Sequence, residues 1–101
     1  VTSVVTLDPK VEQDIMASVK QTEQGAYLTL DPGRTKEIMH SVEEEIFKLE
    51  NVGKSPIIIT SPIVRLYFKK LTEDFFKDLI VVSYNEVDSN IELQSVGMVT
   101  G

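Results

Sequence analysis

The chain has 101 residues, 42% hydrophobic and 26% charged, a balance that suits one globular domain with a modest core. A formal net charge of −6 argues against nucleic acid as a partner, because binding a polyanion begins with neutralising phosphates. The absence of Cys excludes disulfides, a thiolate nucleophile and Cys-type zinc sites, and no apolar run approaches the roughly 18 residues that cross a membrane.

The chain opens on Val1, without Met or signal peptide, and runs straight into strand-like sequence, as a piece of a longer protein would. Val4 to Leu7 reads as a short strand. Asp8-Pro9 then opens a helix with Val11, Ile15, Met16 and Val19 on one face. Asp is a favoured N-cap, and Pro at the first helical position gives up a donor that would be orphaned anyway. The helical pattern fades over Gln21 to Gln24, and Gly25 is the expected residue just past its end. Ala26 to Leu30 reads as a second strand. Asp31-Pro32 opens a second helix, with Ile38, Val42, Ile46 and Leu49 facing inward and Gly53 closing it. Pro56 to Thr60 is a β-branched apolar run, the pattern of a strand buried on both faces. Ser61-Pro62 opens a third helix, with Val64, Tyr67, Phe68, Leu71, Phe75 and Phe76 near helical spacing. Leu79 to Tyr84 is a fourth strand.

One device thus recurs three times: strand, cap residue plus Pro, helix. The letters TLDP even repeat, at Thr6–Pro9 and Thr29–Pro32, which reads as a repeated supersecondary unit or, more plainly, as convergent use of a good cap. Ser55 to Glu86 reads as a right-handed βαβ unit. It holds three of the four Phe and two of the three Tyr, so most of the core's bulk is predicted here. Asn85 to Asn90 is a polar turn. Ile91 to Val99 is a fifth strand, too near the fourth for a crossover and so expected to pair antiparallel with it. Gly97 marks a bulge or a close backbone approach. The expected fold is α/β, one domain over residues 1–101, with a mixed, mostly parallel sheet of four to five strands and three amphipathic helices packed on it. Strand order does not follow from these patterns.

Few residues carry chemistry. HExxH, GxGxxG and GxxxxGK[ST] are absent, so zinc-protease, dinucleotide and P-loop readings fail. His40, the only His, lies between the inward stripe and the outer face of the second helix, with no nucleophile or orienter to serve, and reads as structural. Thr60, Ser61 and Arg65 form a candidate anion corner, at the end of a parallel strand and the start of a helix. Ser61 is expected to cap that helix. Arg65 sits in the first turn, where a cation opposes the helix dipole, and is expected to pair with a carboxylate or reach another domain. Arg65, Lys69 and Lys70 form a basic strip on an acidic chain. It is a candidate protein contact, with a solvated face as the plainer reading. Glu86 and Asp88 in the polar turn are further contact candidates; their spacing does not match a calcium loop. Glu43, Glu44 and Glu45 read as a solvated acidic face. No metal or cofactor is implied.

The run SPIVRLYFKKLTEDFFKDLIVVSYNEV, followed by IELQSVGMV, resembles the C-terminal end of the flagellar type III export-gate family and its virulence-secretion relatives. The match lies in the strand before Ser61-Pro62, Arg65, the amphipathic helix, the strand ending in Ser83-Tyr84-Asn85-Glu86-Val87, and Ser95-Val96-Gly97. The two TLDP-plus-helix segments fit it too, so the resemblance covers nearly the whole chain. It implies the last cytosolic domain of a larger membrane protein on the cytoplasmic side of the bacterial inner membrane. The family's cytosolic halves form a homo-oligomeric ring, a nonamer in well-studied members, that receives export chaperone–substrate complexes and ATPase-complex components. The resemblance carries no catalytic residue onto this stretch. The expectation is a non-enzymatic docking and ordering domain. The alternatives are an α/β enzyme or ligand-binding domain with an anion site at Ser61-Pro62, and a regulatory module of an unrelated assembly.

Overall fold

The computed structural model describes all residues, 1–101. Strand β1 (Thr2–Leu7) leads into helix α1 (Pro9–Ala17). Asp8 caps α1 as expected, its Oδ1 accepting the Lys10 N–H at 2.9 Å. The helix stops earlier than its apolar spacing predicted. At the C-cap, the Ser18 hydroxyl donates to the Asp14 carbonyl at 2.7 Å, offering the backbone a local alternative to another turn. Val19 does not continue the helix but starts strand β2 (Val19–Thr22). β2 forms an antiparallel hairpin with β3 (Gly25–Leu28), pairing Val19 with Leu28 and Thr22 with Gly25. Gly25 is therefore not the end of a helix. It has φ of 121° at the hairpin turn, a conformation open to Gly and costly for other residues.

Helix α2 (Pro32–Asn51) is capped by Asp31, whose Oδ2 accepts the Arg34 N–H at 3.1 Å. Strand β4 (Ile57–Thr60), helix α3 (Pro62–Thr72) and strand β5 (Ile80–Ser83) form the expected βαβ unit. Ser61 makes no side-chain cap bond, so the third cap-plus-Pro corner rests on Pro62 alone. A short 3₁₀ turn (Tyr84–Glu86) precedes the last strand, β6 (Leu93–Val99).

The main sheet has four strands in the order β5-β4-β1-β6. All of its pairings are parallel. β6 therefore does not pair antiparallel with β5; it lies beside β1 at the opposite edge. The expectation failed because a crossover does not need a helix. The nine residues between Ser83 and Leu93 can reach about 30 Å when extended, more than three strand spacings of about 4.8 Å. The antiparallel component is the separate β2–β3 hairpin.

The steps β1 to β4 and β4 to β5 move the same way across the sheet. Right-handed crossovers then place all three helices on one face. A single cluster of thirteen buried residues accords with this, joining Val5, Leu7, Ile58, Val81 and Val99 to side chains from every helix. The return from β5 to β6 crosses the other face, where Val4 and Ile59 are buried outside that cluster. Phe68 is the one aromatic ring fully enclosed. Phe75 and Phe76 fall beyond the end of α3, and Phe75 is 70% exposed. Apart from Phe68 the buried core is aliphatic, and of the predicted aromatic bulk of the βαβ unit Tyr67 and Phe76 pack only at its margin.

Candidate functional site

The carboxyl ends of β4 and β5 bring Thr60, Ser61, Arg65, Ser83 and Glu86 into one neighbourhood. Ser83 and Glu86 form a capping box around the 3₁₀ turn. Glu86 Oε1 accepts the Ser83 N–H at 3.1 Å and the Ser83 hydroxyl at 2.9 Å. The Ser83 hydroxyl also meets the Asn85 side chain. Arg65 reaches across from α3, its Nε 2.6 Å from the same carboxylate oxygen. The N–H there is not aimed well enough for a good hydrogen bond, so the contact is ionic in character. The Ser83 hydroxyl, then its backbone N–H, and with them the Arg65 charge, hold the Glu86 carboxyl below its usual range, against a smaller opposing effect of burial.

Thr60 is fully buried and its hydroxyl donates to the Ser61 carbonyl at 3.0 Å. The Ser61 hydroxyl is enclosed without a partner. The corner thus supplies its own anion: Glu86 takes the Arg65 charge that an external ligand would use.

Lys69 and Lys70 lie exposed in the last turn of α3, where cations favour the helix dipole. Arg65 is committed to Glu86, so the free charge of the strip is concentrated at this end. Beside it lies a hollow of about 260 Å³ between the hairpin and α3, lined by Tyr27, Leu28, Leu30, Tyr67, Lys70 and Leu71. The sequence reading missed this feature, because Tyr27 and Tyr67 meet only when the hairpin folds against the helix. Asp88 is exposed and its Oδ1 accepts the Asn90 N–H at 2.8 Å, a local turn bond. The structure thus keeps Asp88 and the lysines at the surface and turns Arg65 and Glu86 toward each other.

His40 is exposed, with Nε2 2.8 Å from Glu44 Oε1 one turn on. The acidic run on α2 is not uniformly solvated. Glu45 is only 6% exposed, and Lys48 Nζ lies 2.8 Å from its Oε2. The bond to Glu45 and its charge raise the Lys48 pKa above its ordinary value. No cluster of three or more His, Cys, Asp or Glu is arranged to hold a metal ion, and no helix is long and apolar enough to cross a membrane.

The chain matches the model of the FHIPEP family over residues 1–92. It is 44% identical over 99 residues to the flagellar biosynthesis protein FlhA of Bacillus subtilis, which covers 98% of this chain and 15% of that protein. Among solved structures, the Chlamydia pneumoniae CdsV and CdsO complex aligns with a TM-score of 0.85 at 38% identity, covering 97% of this chain and 29% of the matched chain. The nonameric EscV cytosolic domain from the type III secretion system aligns at 0.67 with 30% identity, covering 99% of this chain and 28% of that one. The chain spans less than a third of the length of these relatives.

Proposed function

The chain belongs to the FHIPEP family, and we propose that it works as a non-enzymatic contact domain of a type III protein-export gate. In this reading it helps to dock and order chaperone–substrate complexes and ATPase-complex components on the cytoplasmic side of the bacterial inner membrane. It acts as part of a homo-oligomeric ring. The observation that carries the reading is the exposed pair Lys69 and Lys70, with Lys70 lining an apolar hollow, on a chain of net charge −6. A cationic rim beside a hollow lined by two tyrosines suits a protein partner with an apolar anchor and acidic neighbours. The solved complex of CdsV with CdsO and the nonameric EscV assembly support docking and ring formation for this chain by similarity. The mechanism is mechanical. The domain is a rigid body, and its rotation against neighbouring domains opens or closes a docking cleft.

Replacing Lys69→Glu together with Lys70→Glu tests the surface. In the full cytosolic region, affinity for a partner complex should fall about tenfold or more, and its salt dependence should flatten. Unchanged affinity with unchanged salt dependence would remove the strip from the docking surface. The alternative, a ligand domain with an anion site at Thr60, Ser61 and Arg65, has weaker support, because Glu86 already faces Arg65. On that alternative, phosphate would raise the melting temperature.

A further inference from the structure

The outer edge of β6 is closed along one half and open along the other. β6 pairs with β1 alone, so every second backbone N–H and C=O faces away from the sheet. The Val99 carbonyl accepts from the Asp8 N–H on the β1 side, which turns the groups of Met98 and Thr100 outward. Helix α2 takes both donors. Glu45 Oε1 accepts the Met98 N–H at 3.1 Å, and Ser41 Oγ accepts the Thr100 N–H at 2.9 Å. Ser41 and Glu45 are one helical turn apart, so a single face of α2 lies along this half of the edge. Gly97 permits the approach, since a side chain there would collide with the Glu45 carboxylate.

The other half has no such cover. The Glu92 carbonyl accepts from the Thr2 N–H on the β1 side, so Leu93 and Ser95 present their N–H and C=O outward, ahead of a register shift at Val96. Leu93, Gln94, Ser95 and Val96 are all exposed. Beside them α2 runs out, leaving a hollow of about 110 Å³ lined by Val5, Leu49, Val52, Val96, Lys54 and the ion pair of Glu45 with Lys48.

We propose that Leu93–Val96 is a strand-accepting edge that binds an extended, acidic segment of a partner protein. The segment's backbone pairs with the outward groups of Leu93 and Ser95, the mode by which open sheet edges capture peptides. One apolar side chain of the segment enters the hollow between Val52 and Val96. Its carboxylates meet Lys54, whose Nζ otherwise donates to the neutral Ser3 hydroxyl at 2.8 Å, while Lys48 already faces Glu45. The clasp from α2 sets the limit of the added strand, because Glu45 and Ser41 already hold the next two donors. The edge lies on β6 and is independent of the α3 strip.

Amide NMR of the chain, titrated with a short synthetic peptide of alternating Val and Glu, tests this. The peptide should shift the amides of Leu93 to Val96 and leave those of Met98 and Thr100 in place. A counterpart with Lys for each Glu should bind about tenfold more weakly or worse. Ser95→Pro should abolish binding, because it removes an outward donor and no bond of the ladder. Should Pro disturb β6, Lys54→Glu carries the same test, as its side chain is exposed and takes no part in the clasp at Glu45. Three results would overturn the proposal: no shift on β6, equal binding of both peptides, or self-association of the chain through this edge. The last would assign the edge to a second copy.

Discussion

Glu86 accepts from the Ser83 hydroxyl and N–H and faces the Arg65 guanidinium. Each of these interactions is stronger with the carboxylate than with the neutral acid, so the folded-state pKa lies below the unfolded one. The stabilisation is complete above the ordinary carboxylate range and is lost as pH falls through the lowered folded value. Glu86→Gln should therefore lower the melting temperature at neutral pH, and its deficit should shrink as the solution is acidified. A deficit that stays constant with pH would show that the charge is not what stabilises the corner. Part of this was legible in the sequence. A cation in the first turn of a helix opposes the dipole, so Arg65 needed a carboxylate. Which carboxylate it meets depends on how β5 aligns beside β4, and spacing does not encode that.

The strand–helix–strand elements were legible where the chain uses strong local signals. Asp8-Pro9 and Asp31-Pro32 cap helices as read, and the apolar stripe of α2 is buried at Ile38, Val42 and Leu49. The hairpin was not legible. Val19 falls at helical spacing from Val11 and Ile15, but Ser18 bonds back to Asp14 and its carbonyl accepts from Thr29, just after the hairpin, and the helix ends before it. The place of β6 was missed for a different reason. Sequence proximity favours pairing with β5, but burial of Val99 in the core requires the β1 side of the sheet. Helix α3 offers a contrast that can be measured. Phe68→Ala should cost about 3–5 kcal/mol in chemical denaturation, as for other enclosed rings. Phe75→Ala, at a ring mostly in solvent, should stay within about 0.5 kcal/mol. Similar losses at both positions would mean that the end of α3 packs more tightly than described.

At the scale of the molecule, the helices cover one face of the sheet, and the return to β6 crosses the other. The radius of gyration is 13.6 Å, a little above the roughly 13 Å expected for this length. Most residues of the β2–β3 hairpin are exposed. It also forms one wall of the hollow beside Lys70. Basic charge lies at one end of α3 on an acidic molecule, and the proposed contacts with an acidic partner are this face and the open half of β6. The composition announced the overall charge, but only the fold brings Tyr27, Tyr67 and Lys70 to one place.

The central claim is that this domain touches export partners itself rather than only positioning its neighbours. The most direct test is the amide NMR spectrum of the chain, recorded as a chaperone–substrate complex and then an ATPase-complex component are added separately. The account predicts shifts clustered at Lys69, Lys70 and the Tyr27–Tyr67 hollow for at least one of them. No shifts anywhere on the chain, with binding intact in the full cytosolic region, would contradict it.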